Sequence, residues 1–350
     1  MLTTSQTMAA ITTNSQVLSV GVDIGNGYTK VISNDDRAKI PSYIAPCAVG
    51  EFYESLGDGA YIEILESSNT DMTGTRWLVG SDAYLQKPLG YLRVSDDPRG
   101  KVAYSLPLLL GALAQLPHRT RSSLVLATQS QDAQTLGGAM EESISGNHTA
   151  RINNRITSIS VVDVFCLEEG TGAVFSAVQQ NHVPTSGRVL LVDMGYGTLI
   201  SCHFANRKLQ PGSRKVLPTG VNQLVELIAK DPDTRKQLLQ EGNSQIIRTG
   251  IERGDFLYGT TSWNFKPIYA RHIKPWAASG LAFALKSLSP WKAEADAAIA
   301  VGGGVLMPGI PEALTRNGFT TLPDPQWANV RGLALAAQMK ARRLSNASVG

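Results

Sequence analysis

Two aspartates, each closing an apolar run and each followed by a glycine turn, are the residues of this chain best placed to do chemistry. Val22-Asp23-Ile24-Gly25-Asn26-Gly27 recurs in looser form as Val192-Asp193-Met194-Gly195-Tyr196-Gly197. Glycine at such a turn leaves backbone N–H groups without a neighbouring Cβ, so they can converge on an anion. An aspartate at the bend could bind Mg2+ through the ion's water shell. Two such turns facing each other would hold a polyphosphate from both sides. Two further phrases carry related chemistry. Glu168-Glu169-Gly170-Thr171-Gly172-Ala173 places carboxylates ahead of glycines, and Gly302-Gly303-Gly304 follows a short apolar run, where missing side chains suit close approach by a ligand.

These residues need strands to hold them. Residues 18–22 and 189–192 are apolar, and the β-prone runs 29–32 and 198–204 follow them. Each pair predicts a strand, a tight turn and a returning strand. Residues 41–100 are turn-rich, with short β-prone pieces at 61–65 and 76–79, and read as a small inserted subdomain outside any regular α/β layer. The exposed-looking aromatics there are Tyr53, Tyr61 and Trp77. Beyond it the pattern predicts a helix over 101–116, a strand over 123–128, a helix over 131–144 and a strand over 156–165. In the second half, Val221, Leu224, Val225 and Ile228 give a helical period across 219–229. The polar stretch 230–255 predicts one or two exposed helices, broken at Asp231-Pro232. Residues 270–288 predict a helix kinked at Pro275, and 297–301 a short buried strand. Asp324-Pro325 predicts a helix start, with the carboxylate as N-cap and proline at the first helical position. That helix runs through Leu344, and Lys340, Arg342 and Arg343 near its end suit the negative pole of the helix dipole.

Composition sets the frame. At 350 residues and 43% hydrophobic content, the chain is long enough for two cores. Its net charge of +3 is mild and the basic residues form no stripe, so direct nucleic-acid binding is not indicated. Cys47, Cys166 and Cys202 are far apart, without a Cys-x-x-Cys pair, which speaks against metal and disulfide roles and for a reducing, cytoplasmic setting. None of His118, His148, His182, His203 and His272 lies in ligand-like spacing. Residues 1–16 lack the basic start and apolar core of a signal peptide and read as a disordered arm. No apolar run reaches the length of a membrane span; 105–116 comes nearest and reads as a buried core helix. The resulting organisation is an arm over 1–16, a first lobe over 17–187 with its insert at about 41–100, and a second lobe over 188–325. A C-terminal helix over 326–344 returns to the first lobe, and 345–350 form a tail.

Taken in chain order, with Ala328-Asn329-Val330-Arg331-Gly332 as the fifth, these phrases resemble the actin/Hsp70/sugar-kinase ATPase superfamily. Within it they are most similar to bacterial actin-like proteins of the plasmid-partition (ParM or StbA) type. The resemblance spans 17–344 and implies a two-lobed α/β fold of duplicated RNase H-like domains with the nucleotide in the cleft between them. It implies that Asp23, Gly25, Asn26, Gly27, Tyr28 and Lys30 form the first phosphate loop, Lys30 reaching a phosphate. Asp193, Gly195, Tyr196, Gly197 and Thr198 would form the second. Gly302, Gly303 and Gly304 would be the adenosine loop, and Gly220 joins the nucleotide-binding set. Asp23 and Asp193 would bind Mg2+ through water. Either Glu168 or Glu169 would orient the attacking water, and Glu169, four residues before Ala173, is favoured. The family glutamate usually follows a proline, whereas Glu168 stands in that place here. The second loop also lacks the usual threonine-threonine-aspartate ending, with Leu199 and Ile200 after Thr198. Asn329 and Gly332 read as serving helix packing alone. The implied activity is hydrolysis of ATP (or GTP) with Mg2+, coupled to head-to-tail polymerisation for plasmid segregation or cell organisation, with an adaptor protein linking filament to cargo. The alternative is a small-molecule, sugar-type kinase on the same fold.

Overall fold

The opening strand is buried from Val20 to Ile24 with no alternation, so both of its faces are covered, as expected of a strand inside a layered α/β sheet. This computed structural model describes residues 17–97 and 99–347; the expected N-terminal arm and the end of the tail lie outside them. The first half supplies β1 (Leu18–Ile24), β2 (Tyr28–Ser33), β3 (Asp36–Pro41), β4 (Tyr43–Pro46), β5 (Gly59–Ser67), β6 (Arg76–Gly80), β7 (Leu92–Arg93), β8 (Arg121–Ser130), β9 (Gly146–Ile152) and β10 (Arg155–Glu168). They form one sheet in the order β3-β2-β1-β8-β10-β9-β5-β6-β4-β7. The second half supplies β11 (Arg188–Met194), β12 (Leu199–Ala205), β13 (Lys208–Leu209), β14 (Lys215–Leu217), β15 (Ala297–Val301) and β16 (Thr320–Thr321). Their order is β13-β12-β11-β15-β16, with β14 also on β12.

The two sheets share a plan. β1 is antiparallel to β2 and parallel to β8, just as β11 is antiparallel to β12 and parallel to β15. Both are mixed sheets flanked by helices, the form of an actin-like α/β fold. Each repeated aspartate therefore sits at the carboxyl end of a central strand, where open α/β sheets place ligands.

Helices exchange partners between the halves. The helix Thr171–Gln179 packs Ala173, Val174 and Ala177 with Leu191, Ile200 and Phe204 of the second sheet. The C-terminal helix Ala328–Ala347 packs Leu333 and Ala337 against Val125 and Ala127 of β8. The two helices cross backbone to backbone: a Cβ on Gly332 would lie 1.8 Å from the Gly172 carbonyl oxygen. Packing is therefore the role the structure gives Gly332. The three nearest atoms are all Gly172 backbone, which cannot swing away, so Gly332→Ala should lower stability by about 3 kcal/mol, at the upper end for overpacking. Urea denaturation measures this; an unchanged midpoint would mean the helices separate freely.

Several local expectations change. The strands of the 41–100 insert continue the first sheet, because β5 pairs with β9. β9 carries no strand signal in its sequence, since Gly146-Asn147-His148-Thr149 is polar. Tyr61 is buried and its hydroxyl donates to the Glu51 carbonyl at 3.0 Å. Tyr53 is half-buried beside it, and Trp77 packs on the first core with its indole N–H donating to Thr75 Oγ1 at 2.8 Å. The exposed apolar residues of the insert are instead Val49, Phe52, Leu56, Leu85, Leu89 and Leu92. Pro275 lies inside the helix Lys266–Ser279, and the break falls at Gly280, before the helix Leu281–Lys292. Asp324 makes no cap. It adopts left-handed backbone, with φ of 50°, and pairs with Arg37 and Arg331, while a 3-10 turn (Pro325–Trp327) precedes the C-terminal helix. That helix continues to Ala347, taking in the start of the expected tail. Among the described residues no helix is long and apolar enough to cross a membrane.

Candidate functional site

The two glycine turns face each other and close by the same bond. Gly25 N–H donates to the Tyr28 carbonyl at 3.1 Å, and Gly195 N–H to the Thr198 carbonyl at 2.9 Å. They also interlock: a Cβ on Gly27 would meet Tyr196 Cβ at 2.6 Å, and one on Gly197 would meet Asn26 Nδ2 at 2.1 Å. Each glycine thus gives room to the residue between the two glycines of the other turn. Around them lies a cavity of about 240 Å³ that also takes in Asp23, Lys30, Glu169, Asp193 and Gly302–Gly304.

The aspartates differ because the residues paired with them differ. Asp23 faces Lys30 across the β1–β2 ladder, whereas Asp193 faces Ile200 across β11–β12. Lys30 Nζ lies 2.8 Å from Asp23 Oδ2, and Gln129 Nε2 donates to Oδ1 at 3.2 Å. Burial works to raise the Asp23 pKa, but the charge and hydrogen bond of Lys30 outweigh it and hold the carboxyl below its ordinary value. Asp193 is pushed up to about 7, first by burial and then by the Glu169 carboxylate, against a 2.6 Å hydrogen bond from Asn329 Nδ2. A carboxyl raised on folding contributes most below its unfolded value and loses that contribution as pH rises through its folded pKa. Metal-free protein should therefore lose stability between about pH 4 and pH 7, and Asp193→Asn should flatten that slope. The Asp23 contribution runs the other way and is lost only below the ordinary carboxylate range. Denaturation midpoints across pH in chelator distinguish the two; an unchanged slope in Asp193→Asn would place the titration elsewhere.

The two candidate glutamates part company. Glu168 pairs with Arg214 and does not line the cavity. Glu169 does, and its Oε2 is buried with no hydrogen-bond partner. Gly220 is not in the cavity wall either. It stands behind the second turn, where a Cβ would lie 2.3 Å from the Tyr196 carbonyl oxygen, and it begins the helix Val221–Ala229. The first N–H groups of that helix donate to the turn, Val221 to the Gly195 carbonyl and Asn222 to the Tyr196 carbonyl. The remaining predicted residues, Tyr28 and Thr198 among them, come together in the wall. Gly302 sits at φ of 90°, with space for no Cβ against Asp193 Oδ1 and the Met194 carbonyl oxygen.

Other wall residues carry no site signal in the sequence. Arg248 belongs to the helix Ser244–Arg253, which is not merely exposed but buries Ile247, Arg248, Gly250 and Ile251. Its guanidinium lies between two rings, 3.9 Å from the Tyr28 centroid and 4.3 Å from that of Tyr196. It donates to the Gly27 carbonyl at 3.1 Å and to Glu252 at 2.8 Å, and Glu252 accepts from the Tyr28 hydroxyl. Lys39 and Lys101 add positive charge. Asn329, expected only to pack, accepts from Ala173 N–H at 3.2 Å while donating to Asp193, and so ties the start of one helix to the aspartate. Val221, Ile251, Leu306 and Met307 make an apolar side.

This arrangement suits a ligand that is anionic at one end and flat and apolar at the other. Among the described residues no three His, Cys, Asp or Glu side chains gather closely enough to hold a metal directly. Two buried aspartates and the partnerless oxygen of Glu169 nonetheless form an all-oxygen, electron-rich floor, which fits a hydrated divalent ion.

Residues 21–172 match the family described as actin-like proteins, N-terminal domain. No protein of curated function matches the sequence. Among solved structures, the fold is similar to that of a Bacillus thuringiensis ParM hybrid containing two ParM mutants, with ADP. Identity there is 18% and the TM-score 0.72, over 94% of this chain and 49% of that one, so the chain spans about half of the hybrid. Bacillus thuringiensis ParM with ADP is similar at 18% identity and a TM-score of 0.69, over 93% of this chain and 99% of that one. The archaeal actin homolog Ta0583 is similar at 15% identity and a TM-score of 0.71, over 92% and 100%. The chain has the actin-like fold in the form found in ParM proteins.

Proposed function

We propose that this actin-like chain is an ATPase that binds ATP and Mg2+ between two RNase H-like lobes and polymerises head to tail. The lobes would be 17–187 and 188–325, joined through the C-terminal helix. The observation that carries this reading is the pair of interlocked glycine turns, each with a buried aspartate at a strand end, in a cavity lined by three lysines.

Backbone N–H groups of both turns would hold the phosphates, with Lys30 exchanging its Asp23 partner for a phosphate oxygen. Lys39 and Lys101 add electrostatic stabilisation where charge develops. Asp23 and Asp193 would hold hydrated Mg2+, which when bound neutralises phosphate charge. Glu169 would orient the attacking water, its partnerless oxygen serving as the acceptor. Gly302–Gly304 would admit the adenosine against Leu306 and Met307. Thr198 is the aliphatic side-chain hydroxyl the second turn offers to the cavity. Supporting the choice of nucleotide, the Bacillus thuringiensis ParM structures include ones with ADP and with ATP.

Head-to-tail contact is heterologous and does not close, so it generates filaments. The exposed Phe52 and Leu56 of the insert would supply one end. The cellular role that fits is cytoplasmic DNA (plasmid) segregation through an adaptor protein. Light scattering with ATP and Mg2+ should rise above a critical concentration, and Phe52→Glu should raise that threshold several-fold with ATP affinity unchanged. Calorimetry of Asp23→Ala and Asp193→Ala tests the site itself: both should lose Mg2+-dependent binding. Unchanged affinity in both, or a monomer that phosphorylates a small alcohol, would overturn the reading.

A further inference from the structure

Arg214 projects from the second sheet, between β13 and β14, and reaches the first. Its base is fixed by Ser213, which is buried: the hydroxyl donates to the Gln210 carbonyl at 2.7 Å and accepts from His203 N–H at 3.2 Å. The side chain is 13% exposed, and its guanidinium makes three contacts with the other half. Nη1 donates to the Glu168 carboxylate and, at 2.8 Å, to the Gln131 carbonyl, while Nη2 donates to the Glu169 carbonyl at 2.8 Å. On its other side, Glu169 donates its N–H to the Ser130 carbonyl at 2.9 Å. The Glu169 backbone is thus held from both sides, once by its own sheet and once by an arginine of the opposite one. Glu168, outside the cavity, is the ion-pair partner that keeps the arginine there.

We infer that Arg214 is a positioning residue that makes hydrolysis conditional on the arrangement of the two halves. The inference rests on the reading of Glu169 as the water-orienting group. Arg214 does not line the cavity between the turns, so nucleotide binding there would not require it. The Glu169 carboxylate has no side-chain hydrogen bond fixing its buried Oε2, so its place is set by its backbone. When the halves separate, Arg214 leaves the Glu169 carbonyl and the Glu168 carboxylate together, and the water-orienting group loses its anchor. Misplacement of a reacting group by about 1 Å costs on the order of a hundredfold in rate.

The test is a double-mutant cycle on the full chain, reading single-turnover phosphate release and ATP affinity in Arg214→Ala, Glu169→Ala and the pair. Arg214→Ala should slow release by roughly tenfold to a hundredfold, with affinity within about twofold of the parent. Arg214→Lys, which keeps the charge but not the fork, should recover part of the loss and guards against a folding defect in the alanine variant. With Glu169 already alanine, removing Arg214 should cost nothing further. Additive losses, or an unchanged rate in Arg214→Ala, would overturn the inference. A Glu169→Ala variant releasing phosphate at the parental rate would instead remove the reading on which it rests.

Discussion

Glu169→Gln should leave ATP affinity within about twofold of the parent and slow hydrolysis by roughly a hundredfold or more, the range for loss of a positioned acid–base group. Glutamine has nearly the same shape and keeps the backbone contacts to Ser130 and Arg214. What it lacks is the charge on the oxygen that is buried without a partner. Such a group acts mainly in the transition state, so kcat falls while binding holds. Filaments of the variant should consequently outlast those of the parent after a pulse of ATP. Glu168→Gln should have a smaller effect, acting only through Arg214. Phosphate release by stopped assay and decay of scattering measure both; equal release by Glu169→Gln and parent would take the role from Glu169.

The residues legible in the sequence are those whose requirement is local. A turn that must bring backbone to an anion needs glycine wherever it occurs, and the two copies announce each other by repetition. Strands on either side follow from their apolar runs. Asn329 and Arg248 were not legible, because their partners are distant in sequence: Asn329 meets Asp193 and Ala173, and Arg248 meets Tyr28 and Tyr196. An arginine among charged neighbours in 230–255 reads as a solvated face. Only the isoleucines at 247 and 251 hint that this side of the helix is covered. The insert misled for a related reason. Short strands separated by turns look peripheral, yet Tyr61 and Trp77 are covered because β5 and β6 lie in a sheet that reaches β1. Asp324-Pro325 carries a sound helix-start signal locally, but Arg37, far away in sequence, claims the carboxylate.

Arg248→Met should destabilise the protein by about 2–3 kcal/mol and weaken ATP binding by at least tenfold. The side chain is 3% exposed and stacks between rings from both turns. Desolvated cation–π contacts contribute about 1–2 kcal/mol each, and a charged hydrogen bond such as that to the Gly27 carbonyl about 1.5–3. Desolvation of the arginine offsets part of this sum, and methionine fills the space, so the net falls below it. Loss of the ion pair to Glu252 adds little, because that carboxylate is 41% exposed and recovers water. Burial raises the pKa of the Tyr28 phenol, so the ring stays neutral beneath the cation. The effect on binding follows from place: Gly27, Tyr28 and Tyr196 are in the two turns, and the arginine is what holds their aromatic sides in line. Arg248→Lys keeps charge without the planar stack and should fall between. Arg253→Met on the same helix is the control. Its own side chain is 49% exposed and that of its partner Asp255 37%, so stability should change by less than about 0.5 kcal/mol. Urea denaturation and calorimetry on the three variants decide it; if Arg248→Met behaves like Arg253→Met, the stack between the turns carries no energy and the turns are held by their interlocked glycines alone.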